Sequence, residues 1–384
     1  MRQQASFAAL LTAALLALSG CGDPTLDPQF AEQLSAAKPD EVGSLIESEA
    51  KRLDVTAMNI AIVDGDGPAQ VYHFGRAKPG GLMQVASLSK TVAAAVILTH
   101  AQRQSVGLDD DIRTQVTSVD IAALEGGNRP VTLRQLLSHT TGSSQSGYPG
   151  YPRGYDFPNA AEVVDNPPRF FESALVFDGE PGEFRYSGGG YMIAQLWAED
   201  TSGKAFEHLA RELVFEPLGM EKSTFAQPID PEAIAPLQII GADAGLSLFQ
   251  GVFAAVEDSW HVYPEQAAAG LWTTATDYAI FASALLQAAE GNSDAIPQAV
   301  ARAMITKQAD MGEGRAYGLG TMLRFAGNGA LKSVSHTGAN TGYRAYFAAR
   351  PASREFSQRI VVSIANTTSG ESLNAAIVDA LLEK

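Results

Sequence analysis

The segment "VASLSKTVAAAVILTHA" (residues 85–101) places one lysine at the start of a run of small and apolar residues. The residues after Lys90 are apolar on nearly every face of a helix, which is typical of a helix in a protein core. A lysine that leads into such a helix is costly unless its charge is paired or its amine is neutral. The segment therefore predicts a buried helix with an unusual lysine in its first turn; a lysine that snorkels to solvent is the alternative.

Two serines precede this lysine, and helix geometry distinguishes them. At about 100° per residue, Ser87 and Lys90 lie about 60° apart on one helix face, whereas Ser89 lies about 160° from Ser87. A serine hydroxyl becomes a good nucleophile when a base takes its proton. A lysine can be that base where desolvation or a nearby cation destabilises its ammonium. Ser87 and Lys90 are therefore the candidate nucleophile and base, and we expect Ser89 to pack or to cap.

The same Ser-x-x-Lys pattern occurs a second time, at Ser35–Lys38. This pair runs into Pro39, and no apolar segment follows it. We expect its lysine to be solvated and its serine to be unreactive. The pattern alone therefore predicts little, and its surroundings decide its meaning.

Both ends of the chain predict strands that can share one sheet. The segment "MNIAIVDGDGPAQVYHFG" (58–75) has two runs rich in β-branched and aromatic residues around a Gly/Asp turn, which predicts a hairpin. Three further strands are predicted at 331–338, 342–350 and 358–367, and helices at 30–38, 40–53 and 372–384. We therefore expect an α+β fold. It would have an antiparallel sheet of about five strands built from both chain ends, helices that flank it, and a mainly helical inserted region.

Two segments far downstream carry residues of catalytic type. In "YSGGG" (186–190), Tyr186 precedes three glycines, which allow a backbone to approach a ligand closely. A tyrosine beside a lysine can have a lowered pKa and relay a proton. In "SHTG" (335–338), His336 stands at the end of a predicted strand. Simple packing of the tyrosine and a plain strand-to-turn transition are the alternative interpretations.

The order Ser87-x-x-Lys90, Tyr186-Ser187-Gly188, His336-Thr337-Gly338 resembles the three motifs of the serine β-lactamase and penicillin-binding-protein superfamily. The resemblance is to the branch that contains class C β-lactamases, D-Ala-D-Ala carboxypeptidases, D-aminopeptidases and related esterases. It covers the chain from about Leu53 to the C-terminus. Further segments that fit are "GLDDDI" (107–112), "VTLRQLLSHTTG" (131–142), "VFEPLGMEKSTF" (214–225), "AAAGLWTTATDYAIF" (267–281) and "YGLGTML" (317–323).

The resemblance implies a role for each motif residue. Ser87 would be the acylated nucleophile, Lys90 its base or proton shuttle, and Tyr186 the relay to the leaving group. The strand edge that carries His336, Thr337 and Gly338 would bind substrate. The backbone N–H groups of Ser87 and Ala339 would form the oxyanion hole, and such donors are worth a few kcal/mol when aimed at a tetrahedral oxyanion.

Two positions depart from the β-lactamase pattern. Gly188 replaces an asparagine that in the family hydrogen-bonds the substrate amide and the lysine. His336 replaces a lysine, and a histidine is charged only in part near neutral pH. We therefore expect a serine hydrolase that acts through an acyl-enzyme on a D-amino-acid peptide or a small ester, with a β-lactamase as the first alternative. The alternative from another class is an inert binder of cell-wall peptides or penicillin, which Gly188 favours and the intact Ser87, Lys90 and Tyr186 disfavour.

The N-terminus predicts export and lipidation. Arg2 precedes "ASFAALLTAALLAL" (5–18), which is too short for a comfortable membrane span. "LSGC" (18–21) resembles a bacterial lipobox, in which Cys21 becomes the lipidated N-terminus. The predicted organisation is a lipoprotein signal peptide at 1–20, a tether at 21–38 and a hydrolase domain at 39–384. We expect the protein outside the cytoplasm, anchored to a bacterial membrane on the periplasmic side.

Composition and the remaining motifs exclude several function classes. The net charge of −16 argues against a nucleic-acid partner. The six histidines show no metal-ligand spacing, and we expect His100 and His139 to be structural. The loop "SGYPGYPRGYDFP" (146–158) either lies on the surface or walls a cleft. We predict no metal and no cofactor, a small-molecule or peptidoglycan-peptide substrate, and a monomer.

Overall fold

A computed structural model describes residues 25–154, 156–165, 174–230 and 260–384 of the chain. The strands in that part are β1 Ala57–Asp64, β2 Gln70–Gly75, β3 Met83–Gln84, β4 Tyr151–Pro152, β5 His261–Val262, β6 Trp272–Thr273, β7 Ala309–Gly312, β8 Arg315–Tyr317, β9 Met322–Phe325, β10 Leu331–Asn340, β11 Tyr343–Arg350 and β12 Arg359–Ala365. The α-helices are α1 Phe30–Ala36, α2 Pro39–Arg52, α3 Ser89–Gln104, α4 Leu133–Leu137, α5 Ala160–Asp165, α6 Gly188–Ser202, α7 Phe206–Ala210, α8 Glu216–Leu218, α9 Gln266–Ala269, α10 Ala275–Glu290, α11 Gln298–Met304 and α12 Gly370–Leu382. A π-helical turn, Arg211–Phe215, joins α7 to α8, and short 3-10 turns span Ala86–Leu88, Arg113–Gln115 and Ile121–Ala123.

The main sheet is antiparallel and unites the two chain ends. Its strand order is β2-β1-β12-β11-β10-β9-β8-β7. Strand β1 pairs with β12, with Met58 opposite Ala365, so the first and last strands of the sheet are neighbours, second and third from one edge. This confirms the predicted α+β class and the sheet built from both ends.

The sheet has three strands more than the sequence predicted. Strands β7, β8 and β9 extend it at one edge, and each has only three or four residues. The turn between β7 and β8 contains Gly312 and Gly314, both in the left-handed region with φ of 77° and 72°. Strands this short carry too few alternating residues for a pattern to appear, so the sequence did not reveal them.

Strand β1 is buried on both faces of the sheet. In β1, Met58, Ile60 and Ile62 pack with the cluster under α1, α2 and α12. The alternate residues Ala57, Ala61 and Val63 pack with the cluster of the inserted helical region. Since successive strand residues point to opposite faces, a nearly continuous apolar run fits a sheet between two helical layers.

Helix α1 belongs to the packed body. Phe30 and Leu34 are buried against the same cluster as α12, because the apolar side of this short helix covers the sheet's outer layer. The tether predicted for residues 21–38 is therefore wrong for the helical part of that range. Residues 1–24, which include the predicted signal peptide and Cys21, lie outside the described residues.

Helix α3 is the buried helix predicted from the opening segment. Every residue from 81 to 101 is buried except Ser87. Lys90 is 1% exposed, so it lies within the core and does not reach solvent at the helix end. Within the described ranges, the structure contains no helix that has both the length and the apolar character to cross a bilayer.

Candidate active site

Ser87 and Lys90 meet at the start of α3. Ser87 lies in the 3-10 turn that precedes the helix, and Lys90 is in the first helical turn. The Nζ of Lys90 is 3.1 Å from Ser87 Oγ and donates to the carbonyl oxygen of Ala268 in α9 at 2.7 Å. Burial lowers the pKa of Lys90 from 10.5 to about 7. A large fraction of this amine is therefore neutral near pH 7, with a lone pair available to the serine proton.

The backbone before the nucleophile is bent sharply. Ala86 has φ of 51°, in the left-handed region that costs a residue with a Cβ atom about 1–3 kcal/mol. This bend joins the buried Val85 to the 3-10 turn and leaves Ser87 as the accessible residue of an otherwise buried segment. The strain is located next to Ser87, the predicted nucleophile, and strained backbone of this kind often occurs at functional sites.

Strand β10 packs directly against this turn at Gly338. A Cβ atom at Gly338 would lie 2.3 Å from the carbonyl oxygen of Val85 and 3.1 Å from Leu88 Cδ1. Only glycine allows the two backbones to approach this closely. The structure thus brings the predicted third motif against the nucleophile turn.

The edge of β10 offers backbone donors to the cleft. Asn340 and Tyr343 flank a two-residue turn, so they form the closing hydrogen-bonded pair of the β10–β11 hairpin. By alternation, the backbone N–H groups of Thr337 and Ala339 face away from β11. Pairing with β9 ends at Ser335, so these two N–H groups lie at an open strand edge. Their exposed side chains point to the sheet face that carries α12, because their cross-strand partners Tyr346 and Arg344 contact that helix.

The ring of His336 lies beneath the strand. His336 is 0% exposed; its Nδ1 is 2.7 Å from the Thr337 carbonyl oxygen, and its Nε2 is 2.9 Å from the Tyr317 hydroxyl. Because a carbonyl only accepts, Nδ1 carries the proton and Nε2 accepts from Tyr317. Burial, with a smaller effect of Lys90, lowers the pKa of His336 to about 3. The expectation of a partly charged histidine that meets substrate is therefore wrong: this ring is neutral, and both its nitrogens are engaged inside the protein.

Tyr186 completes the contact with the nucleophile. The Ser87 side chain acts on the Tyr186 hydroxyl as a hydrogen-bonding neighbour that lowers its pKa, and Lys90 Nζ is 5.0 Å from the centre of the Tyr186 ring. Burial raises the pKa of Tyr186 above its ordinary value and outweighs the opposing effect of the Ser87 hydrogen bond. The lowered pKa expected from the nearby lysine is therefore wrong, because desolvation dominates here. Tyr186 is a neutral hydroxyl that can donate and accept a proton at once.

Gly188 is the first residue of α6, and a tyrosine ring occupies the space beside it. A Cβ atom at Gly188 would lie 2.9 Å from Tyr148 Cε2 and 3.4 Å from the Gln145 carbonyl oxygen. That carbonyl accepts from the Gly188 N–H at 2.7 Å. The start of the 146–158 loop therefore lies against the second motif, and no asparagine fits at position 188 unless Tyr148 moves.

The other serines have different surroundings. Ser89 is fully buried, and its Oγ accepts from the N–H of Leu271 at 2.9 Å. Ser35 is exposed, and its Oγ donates to the carbonyl oxygen of Ala31 in the preceding helical turn. Lys38 is exposed as well. The two Ser-x-x-Lys pairs thus differ in burial, as their flanking sequences predicted.

Two neighbours of the site had no catalytic or binding role in the sequence analysis, where His139 was expected to be structural. The Ala268 carbonyl orients Lys90, and His139 lies with its ring centre 4.3 Å from that of Tyr186. Both depend on distant segments of the chain that meet only in the fold. Across the described ranges, no group of three or more histidine, cysteine, aspartate or glutamate side chains is placed to hold a metal ion.

Comparisons with known proteins agree with this geometry. The model of the family described as "Beta-lactamase" matches residues 42–383. The D-alanyl-D-alanine-carboxypeptidase/endopeptidase AmpH of Escherichia coli K12 is 22% identical over 404 aligned residues, which cover 100% of this chain and 97% of that protein.

Two solved structures have the same fold. The octameric penicillin-binding protein homologue from Pyrococcus abyssi superposes with a TM-score of 0.70 at 21% identity and covers 90% of this chain and 78% of its own. The D-amino acid amidase from Ochrobactrum anthropi SV3 gives a TM-score of 0.65 at 19% identity, with 89% and 99% covered.

Proposed function

The chain belongs to the beta-lactamase family, and its relatives indicate a serine hydrolase that acts by acyl transfer. On that premise we propose its substrate class and the roles of its residues. The substrate is an amide or ester of a D-amino acid or D-amino-acid peptide, or a small ester. The observation that carries the proposal is the 3.1 Å contact of Ser87 Oγ with a buried lysine whose pKa is about 7.

In the acylation step, Ser87 Oγ attacks the substrate carbonyl carbon while neutral Lys90 takes the hydroxyl proton. An Oγ–C bond forms, and the carbonyl oxygen becomes an oxyanion that the N–H groups of Ser87 and Ala339 stabilise. Tyr186 then donates its hydroxyl proton to the leaving nitrogen or oxygen and regains one from the Lys90 ammonium. The C–N or C–O bond breaks and the acyl-enzyme remains.

Deacylation repeats these transfers with water as the nucleophile. Water gives a proton to the Tyr186–Lys90 pair and attacks the ester carbonyl of the acyl-enzyme. The Oγ–C bond breaks, and the proton returns to Ser87 Oγ. Acylation transfers one proton from the protein to the leaving group, and deacylation restores it from water, so the complete cycle returns every group to its starting protonation state.

Three observations support D-amino-acid substrates or small esters over β-lactams. The relatives include a D-alanyl-D-alanine carboxypeptidase and a D-amino acid amidase. The His336 ring is neutral and buried, so it offers no permanent cation for a substrate carboxylate. Position 188 has no side chain to bind a substrate amide, and Tyr148 fills that space.

Covalent labelling tests the proposal. We expect a fluorophosphonate or a fluorescent penicillin to label the wild-type protein and to leave Ser87→Ala unlabelled. Ser35→Ala is the matched control and should label at the wild-type rate. Labelling that persists in Ser87→Ala would overturn the assignment, and a wild type that neither labels nor hydrolyses any ester would support the inert binder.

Turnover rates then separate the substrate classes. We expect the soluble body, without residues 1–21, to hydrolyse a short-chain p-nitrophenyl ester and a D-Ala-D-Ala peptide faster than nitrocefin. A nitrocefin rate above both would favour the β-lactamase alternative. In the same preparation we expect a monomer by mass photometry.

We also propose that Cys21 carries a lipid that anchors the protein on the periplasmic side of a bacterial membrane. The support is the "LSGC" segment (18–21) after a short apolar run. Cells fed a labelled fatty acid should incorporate it into the wild type and not into Cys21→Ser. Equal label in both proteins would contradict the anchor.

A further inference from the structure

One buried histidine near the site takes no part in the proton transfers described above. His139 follows α4, is 1% exposed and has φ of 61°, in the left-handed region. It lies among aromatic rings, with ring centres 4.3 Å from Tyr186, 4.6 Å from Tyr317 and 5.3 Å from Tyr191. Strained backbone conformations cluster at functional sites, so a buried polar residue in such a conformation is a candidate for a functional role.

His139 binds the chain on both sides of Tyr186. Its backbone carbonyl accepts from the N–H of Arg185 at 2.8 Å. Its ring Nδ1 accepts from the N–H of Ser187 at 3.0 Å. One of these hydrogen bonds holds the peptide group between Tyr186 and Ser187, and the other holds the backbone N–H of Arg185, the residue before the tyrosine. The His139 ring also packs on the ring of Tyr186.

The hydrogen bonds also define which nitrogen carries the proton. Since Nδ1 accepts from a backbone N–H, the neutral ring has its proton on Nε2. Burial, with smaller effects of Lys90 and His336, lowers the pKa of His139 well below its ordinary value, so the ring stays neutral. Nε2 has no hydrogen-bond partner within the described part of the chain. The ring therefore has no acceptor to which it can pass a proton, and its contribution is geometric.

The side chain of Ser187, the residue after Tyr186, makes hydrogen bonds to other parts of the chain and not to the backbone of Tyr186. The Oγ of Ser187 donates to the Ser144 carbonyl at 2.6 Å and accepts from the Gly190 N–H at 3.1 Å, which fixes the start of α6. Tyr186 itself must keep its hydroxyl on Ser87 during the reaction. A shift of about 1 Å in a catalytic group can cost about 100-fold in rate.

We propose that His139 is a positioning residue that holds the Tyr186 hydroxyl on Ser87 through the backbone of Arg185 and Ser187. The inference rests on the proposed function, because it assigns Tyr186 a proton-transfer role. It differs from the sequence expectation that His139 is merely structural. Loss of the Nδ1 acceptor should therefore lower kcat and leave KM almost unchanged.

Two substitutions separate the acceptor from the ring. His139→Asn keeps an oxygen close to the position of Nδ1 and uses a residue that tolerates positive φ. His139→Phe keeps a ring against Tyr186 and removes the acceptor. We expect His139→Asn to retain most of the wild-type kcat and His139→Phe to lose on the order of 10–100-fold, part of the 10²–10⁴ that general acid–base groups supply. His100→Asn, at a buried histidine that contacts Thr201, is the control and should leave kcat unchanged.

A double-mutant cycle tests whether His139 acts through Tyr186. In a Tyr186→Phe background, His139→Phe should have no further effect on kcat, because the hydroxyl it positions is absent. Equal kcat losses in both backgrounds would overturn the proposal, as would a folded His139→Phe with wild-type kcat. If His139→Phe fails to fold, as judged by its thermal unfolding, His139→Asn decides: a folded Asn variant with a large loss of kcat contradicts a positioning role. Activity that survives Ser87→Ala would instead refute the proposed function, so the two failures are distinguishable.

Discussion

Ser35–Lys38 and Ser87–Lys90 are the same four-residue pattern in two environments. At the first pair the lysine and serine are exposed on a short surface helix and its end. At the second, Lys90 is buried and its Nζ touches both Ser87 Oγ and a backbone carbonyl. The i, i+3 spacing of the serine and the lysine is the same in both pairs. Burial makes the second pair different, because desolvation lowers the pKa of Lys90 to about 7 and so leaves part of the amine neutral near neutral pH.

Removal of the amine should give the largest contrast between the pairs. Lys90→Met keeps the apolar length of the side chain and removes the base. We expect the rate of esterase turnover to fall by about 10²–10⁴, the usual contribution of a general base. Lys38→Met is the matched substitution at the exposed pair and should change nothing. An active Lys90→Met would show that another group takes the Ser87 proton.

The second contrast concerns strand β10, which packs against the turn that carries Ser87. No strand packs in this way against Ser35 in the described part of the chain. Gly338→Ala would place a Cβ atom 2.3 Å from the Val85 carbonyl oxygen, so β10 must move away from the nucleophile turn. We expect kcat/KM to fall by on the order of 100-fold, because the oxyanion donors move with the strand. Gly327→Ala is the control, since no atom lies within 4 Å of a Cβ atom there. A fully active Gly338→Ala would place the oxyanion donors elsewhere.

A pH profile sharpens the contrast further. Lys90 must be neutral to act, and its pKa is about 7. The rate of labelling by a fluorophosphonate should therefore fall about tenfold per pH unit below about pH 7 and level off above it. The neighbouring groups do not titrate in this range, because the pKa values of His139 and His336 are lowered and that of Tyr186 is raised. A solvated lysine in the role of the base would leave the rate rising to about pH 10, and that result would refute the buried base.

The smallest contrast is between the serines that are not nucleophiles. Ser89→Ala leaves the buried N–H of Leu271 without its acceptor, and we expect a loss of about 1–3 kcal/mol in the free energy of unfolding. Ser35→Ala removes an exposed hydroxyl and should change the free energy of unfolding by less than about 0.5 kcal/mol. Chemical denaturation of both variants checks this. Equal losses would mean that the buried hydrogen bond of Ser89 to Leu271 does not stabilise the fold.

The sequence predicted the parts of the fold that have long, regular patterns. Helix α3 and the strands from both ends follow from apolar periodicity, and Ser87 was separated from Ser89 by helix geometry alone. Strands β7 to β9 were missed because each is too short to show alternation. The helical part of the predicted tether was wrong, since the burial of Phe30 and Leu34 depends on α12 far along the chain.

The sequence predicted the residues of the site and the burial of Lys90, but not the surroundings of Tyr186, His336 and His139. Ser87, Lys90 and Tyr186 were expected together, and the structure brings them within contact. The direction of the Tyr186 pKa was wrong because a nearby cation and desolvation oppose each other, and only the fold shows which is larger. His139 was expected only to be structural, because its hydrogen bonds to the N–H groups of Arg185 and Ser187 have no signature in sequence spacing.

The pairing of β1 with β12 has a consequence for the order of events during synthesis. A ribosome completes Ser87 and Lys90 long before it completes β10, β11 and β12, so the proposed nucleophile is made early and the proposed oxyanion donor Ala339 late. A nascent or prematurely terminated chain would carry Ser87 and Lys90 without the strand that packs against them. The complete fold also joins residues far apart in sequence, and such contacts slow folding. Hydrolytic activity would therefore begin only after the last strand is in place, and incomplete copies of this enzyme would be harmless to the substrates around them.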